Sequence, residues 1–229
     1  MNKKNIIIIV IAIIAIGGGA WLASSLVTET PQPNGDQAEP SAEPASIDPE
    51  IINVLERAQD ISSLQYDIIV TAPEGSFTGQ VWYQDNQFKM TMLFDNQEMV
   101  VFSDLDQELA YLYDPSQNKI IEEKRTVVSD LMAEFQLREL AAKILDYRPI
   151  LVGREVIEGD HYLVIDYFQY PEGTRAWVLA ERGLPVRMVT QIQDDIIEVR
   201  AENIEFDIDI ADDISELPED AEIDYLSDL

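Results

Sequence analysis

From Leu64 to Glu123 apolar and polar residues alternate with a period of two, and the runs are cut at hairpin-length intervals. The cuts are Pro73-Glu74-Gly75, Asp85-Asn86, Asp95-Asn96, Asp104 to Gln107 and Asp114 to Asn118. A helix repeats every 3.6 residues and cannot bury such a pattern on one side, so the segment predicts about six antiparallel strands. A second block, Arg148 to Phe206, repeats the pattern with breaks at Glu158-Gly159-Asp160, Tyr170 to Gly173, Glu181-Arg182-Gly183 and Gln193-Asp194-Asp195, and predicts about five more.

Two stretches depart from this period. At Ile47-Asp48-Pro49-Glu50 an N-capping aspartate, a proline suited to the first helical position and an acid near the positive helix end announce a helix, with Ile51, Ile52, Leu55 and Ala58 on one face to about Ile61. Between the strand blocks, Thr126 to Leu145 lacks Gly and Pro, and Val127, Val128, Leu131, Met132, Phe135, Leu140, Ala141, Ile144 and Leu145 fall at helical spacing. One helix, or two with a bend near Gln136, is expected there.

The chain begins with Lys3-Lys4 and then about 22 uncharged, mostly apolar residues from Ile6 to Val27, enough to span a hydrocarbon core of roughly 30 Å. With lysines before it and acids after it, residues 1–27 are expected to be a signal anchor, a transmembrane helix with its N-terminus in the cytoplasm and the remainder extracytoplasmic. A cleaved signal peptide is the competing reading, against which stand the length of the run and the bulky Trp21-Leu22. Leu22-Ala23-Ser24-Ser25 carries serine where a lipobox needs cysteine, so lipid attachment there is chemically closed. Residues 28–47, rich in Pro, Glu, Gln, Ser and Ala, predict a disordered linker; 48–206 form the folded domain, and 207–229 an acidic tail of little order.

Charge and composition exclude several functions. A formal net charge of −29 repels nucleic acid, and the ten acids without a base from Asp207 to Leu229 deepen that field. The absence of cysteine removes disulfides, thiolate metal sites and thiol catalysis. His161 is the one histidine and no nucleophile elbow, Walker loop, dinucleotide fingerprint, HExxH or calcium loop accompanies it, so no catalytic residue, metal or cofactor is assigned. Asp207, Asp209, Asp212 and Asp213 lack the glycine turn and terminal glutamate of a calcium loop and read as a solvated tail.

A soft, bulky apolar set remains: Phe88, Met90, Met92 and Phe94 on one strand face, Met99 and Phe102 after them, and Leu131, Met132 and Phe135 in the helical insert. Thioethers adapt to irregular partners, so Phe88, Met90, Met92, Phe94, Leu131, Met132 and Phe135 are the candidate ligand-binding residues, with an ordinary filled core as the plainer alternative.

Helix, six strands, helical insert and five strands, taken in that order, resemble the LolA/LolB superfamily of periplasmic lipoprotein carriers, which also takes in mycobacterial lipid-binding lipoproteins and RseB-type sensors. The stretches that carry the resemblance are Val54-Leu55 to Ser62-Ser63-Leu64-Gln65-Tyr66, Gly79-Gln80-Val81-Trp82-Tyr83 leading to Phe88-Lys89-Met90, Tyr111-Leu112-Tyr113-Asp114-Pro115, and Trp177-Val178-Leu179 followed by Gly183-Leu184-Pro185-Val186-Arg187. The resemblance implies an α+β fold, an incomplete antiparallel β-barrel of about 11 strands whose concave face is covered by helices around a cavity for acyl chains. It implies a non-enzymatic carrier of lipid or lipoprotein acyl chains. An RseB-like sensor acting through another membrane protein is the alternative. Asp85-Asn86-Gln87-Phe88-Lys89 departs from the family's arginine-bearing segment, so no gating arginine is carried over.

Overall fold

A computed structural model describes residues 46–73, 75–94, 97–104, 109–124, 135–169, 172–210, 214 and 216–225. The apolar run 1–27 and the linker up to residue 45 lie outside these residues, as does the first part of the predicted insert, 126–134. Among the described residues no helix is long and apolar enough to cross a membrane.

Helix α1 (Pro49–Leu55) starts where the capping residues place it: the Asp48 carboxylate accepts the Glu50 N–H at 2.8 Å. A 3₁₀ turn (Glu56–Asp60) follows, and Ile51, Val54, Leu55 and Ala58 are buried. The strands are β1 (Ser63–Ala72), β2 (Gly75–Gln84), β3 (Gln87–Phe94), β4 (Gln97–Asp104), β5 (Leu109–Asp114) and β6 (Lys119–Lys124). Helix α2 (Leu137–Asp146) comes next, then β7 (Ile150–Ile157), β8 (Asp160–Gln169), β9 (Glu172–Leu179), β10 (Leu184–Ile192), β11 (Asp195–Phe206) and β12 (Glu222–Tyr225).

All twelve strands form one open sheet in the order β12-β6-β5-β4-β3-β2-β1-β11-β10-β9-β8-β7. It consists of two meanders, β1 to β6 and β7 to β11, joined by the antiparallel pairing of β1 with β11 from Leu64–Phe206 to Thr71–Glu198. Alternate residues face inward: Leu64, Tyr66, Ile68 and Val70 of β1, Val81 and Tyr83 of β2, Leu163 and Ile165 of β8, and Ala176 and Val178 of β9. Helices α1 and α2 lie on that inner side, α2 burying Leu137, Leu140, Ala141 and Ile144.

The sheet has twelve strands where about 11 were expected, and the twelfth, β12, lies in the acidic tail, whose described residues form a strap against the sheet. Ser63 and Asp207 start it: Asp207 N–H donates to the Ser63 carbonyl at 3.1 Å, and Ser63 Oγ donates to the Ile208 carbonyl at 2.7 Å. Ile210 N–H then donates to Gln84 Oε1 at 3.2 Å, and Ile210 and Ile214 are buried. β12 pairs in parallel with β6, where Lys119 bridges Glu222 and Asp224. The outer side of the first meander is itself apolar: Val100, Phe102 and Ile120 alternate with inward-facing residues, yet all three are buried.

Candidate functional site

The inner wall is built by β3 and its neighbours. Phe88, Met90 and Met92 are 1%, 0% and 5% exposed and share the face predicted for them. Met90 stands between Val81 of β2 and Val101 of β4, and Met92 stands opposite Met99. Gly79 makes room for this row, since a Cβ there would come within 2.4 Å of the Thr91 carbonyl and 3.3 Å of the Met90 methyl group. Three thioether side chains thus sit side by side on two strands, and unbranched chains of this type repack at low cost.

Phe135 closes over this wall from the start of α2. It is 2% exposed, and its ring meets Phe77 edge-on with centroids 5.8 Å apart. The Tyr66 hydroxyl donates to the Phe135 backbone carbonyl, and burial pushes its pKa far up, so it serves as a neutral donor that pins the segment to the sheet. Beside it the Arg138 guanidinium donates to the Tyr83 hydroxyl and lies 5.0 Å from that ring, while burial holds Tyr83 up at about 12 against the lowering effect of the cation. Glu139 is half-buried in the same corner, and its desolvation raises its pKa.

The structure therefore brings Phe88, Met90, Met92 and Phe135 into one apolar cluster with both helices. For Phe94 only its place at the end of β3 is described, and Leu131 and Met132 lie outside the described residues. The arrangement offers close packing, adaptable surface and neutral hydrogen-bond donors. Among the described residues no three His, Asp or Glu side chains converge to hold a metal, and Asp212 and Asp213 fall outside them. His161 is exposed on β8, opposite Val156 of β7.

Two grooves on the outer side were not predicted. One, of about 610 Å³, lies between the strap and the sheet and includes Trp82 and Lys89, whose ammonium sits 5.6 Å from the Trp82 ring and 5.4 Å from Phe102. The other, of about 690 Å³, runs along β8, β9 and β10 and collects Arg148, Arg175, Trp177 and Arg187. These come from the α2–β7 connection, β9 and β10, and no local sequence pattern announces them.

The architecture that carries these sites is an open, mainly antiparallel sheet with short helices on its inner side, and solved structures share it. An uncharacterized conserved protein from Thermus thermophilus superposes with a TM-score of 0.57 at 10% identity, over 77% of this chain and 97% of that one. MucB superposes with a TM-score of 0.51 at 14% identity, over 76% of this chain and 63% of its own, so this chain spans under two thirds of MucB. A LolA superfamily protein from Nitrosomonas europaea gives a TM-score of 0.38 at 14% identity over 72% and 97% of the two chains. At such identities the first two likenesses establish the fold alone. No family model and no curated protein matches the sequence.

Proposed function

We propose that this chain is a membrane-tethered, extracytoplasmic protein that takes up the acyl part of a lipid or lipoprotein between its sheet and its helices, without any covalent step. The observation that carries the reading is the row Met90, Met92 and Met99, packed beneath two short helices. A ligand entering there replaces flexible side chains instead of breaking a rigid core, and each CH₂ withdrawn from water contributes about 0.8 kcal/mol. The Lys3-Lys4 and Ile6 to Val27 segment supports the tether.

Native mass spectrometry of the full chain released from membranes tests this. Acyl lipids are expected to co-purify with the native chain and to be lost from Met92→Glu, whereas Met92→Leu keeps them. A folded chain that stays empty when offered membrane lipid extract refutes the reading.

A second reading, an RseB-like sensor acting through another membrane protein, is supported by β7. This terminal strand of the sheet exposes Ile150, Val152, Val156 and Ile157, which suits an added strand from a partner. MucB, whose fold is similar, has been solved in complex with MucA(peri). Recovery of one stoichiometric membrane protein with the wild-type chain, lost on Val156→Lys, would favour it.

A further inference from the structure

We propose that the groove of about 690 Å³ on the outer side of β8 to β10 is a binding site for an anionic amphiphile, a long-chain carboxylate or phosphate monoester, with Arg148 as the anchor of its head. The volume lies within the roughly 300–1,000 Å³ usual for small-molecule sites. Its walls are apolar and fixed. The Trp177 indole N–H donates to Glu155 at 3.0 Å, and the Arg187 guanidinium stacks 4.3 Å over the same ring while donating to Glu198 at 2.8 Å. Arg175 donates two hydrogen bonds to the Asp166 carboxylate, at 2.7 and 2.9 Å. Ile150 and Val189 add aliphatic surface along the groove.

The charges decide the sign of the ligand. In a chain of net charge −29 this groove gathers three arginines and one carboxylate, Asp166. Arg175 and Arg187 are neutralised by Asp166 and Glu198. Among the described residues the Arg148 side chain forms no ion pair and no hydrogen bond, and none of them compensates its charge at the rim of the trough. Arg148 also occupies a costly backbone position: it follows the C-cap of α2 at φ +51°, where glycine or asparagine is the ordinary occupant. A long cation at such a position, with no partner among the described residues, is explained by a partner outside the protein.

The groove also reaches inward. Tyr167 and Thr174, buried on the inner side, contribute to it, and Tyr167 stacks on Tyr147 at 5.8 Å beside Arg148. The site stands whether or not the interior also takes an acyl chain.

Photolabelling of the full chain in phosphatidylcholine vesicles with a diazirine-bearing long-chain fatty acid tests the proposal. Label is expected on the peptides carrying Trp177 and Val189. It should fall about tenfold in Arg148→Gln, the size of one lost charge-assisted hydrogen bond, and be retained in Arg148→Lys and in Lys143→Gln, a neighbouring cation outside the groove. Oleate should displace the label at lower concentration than neutral monoolein, and inorganic phosphate should not displace it. Equal labelling of Arg148→Gln, no label in the groove, or displacement by phosphate alone would each overturn the assignment. Label on the Met90 to Met99 peptides that persists in Arg148→Gln reports on the interior separately.

Discussion

Gly183 shows how one residue can hold a layer in place. It lies in the β9–β10 turn at φ +74°, and a Cβ there would stand 2.2 Å from the Val54 carbonyl and 2.9 Å from the Ala58 nitrogen, so α1 rests directly on this backbone. Gly183→Ala combines left-handed strain with an overfilled contact and should cost about 2 to 4 kcal/mol, read from the urea midpoint. An unchanged midpoint would mean that α1 moves away freely. Glu139 gives a pH-dependent counterpart. Its desolvated carboxyl has a folded-state pKa above the ordinary 4.5, so the native state favours the proton and stability is lost as pH rises through that raised value. Glu139→Gln should therefore be more stable than the native protein at pH 7, and the gain should vanish as pH falls to about 4. A gain independent of pH would assign the effect to packing. The turn residues were legible because their chemistry is local: Asp85, Asn118, Glu158 and Gln193 adopt positive φ within the breaks read from the sequence. The role of Gly183 against α1 was not, because its contact is distant in the chain.

At the scale of elements, two strand blocks and the first helix follow from periodicity and capping, while the strap does not. Its isoleucines are scattered among acids, and the buried outer residues Val100, Phe102 and Ile120 lie on strands formed far earlier. A signal did exist. Met99-Val100-Val101-Phe102 is a continuous apolar run, and such a run in a strand means burial on both faces, whereas β3 alternates cleanly. The same reasoning separates the two candidate sites: Phe88, Met90 and Met92 share one strand and could be read together, whereas Arg148, Trp177 and Arg187 meet only through the folded sheet. If Ile210 and Ile214 hold the strap, replacing both by Asp should release it. Amide hydrogens of β6 should then exchange faster while those of β8 to β10 keep their protection. Unaltered exchange on β6 would show that the Lys119 ion pairs and the β12 ladder suffice alone.

For the whole molecule, charge and topology act together. A net charge of −29 stresses the folded state through self-repulsion, which salt screens over about 10 Å at 0.1 M. Sodium chloride should therefore raise the urea midpoint steadily at low ionic strength, and a midpoint indifferent to salt would place the acids too far apart to interact. Both meanders should melt in a single transition, since each buries its inner face against the same pair of helices.

The pairing of Leu64 with Phe206 gives the sheet an order of assembly. Each meander can zip up from neighbouring hairpins as its strands emerge, but the strand that completes β1 is the last of its block. A chain stopped before β11 would carry two half-sheets, each with an open edge at what should be the middle, so the domain gains its continuity only when β11 has arrived.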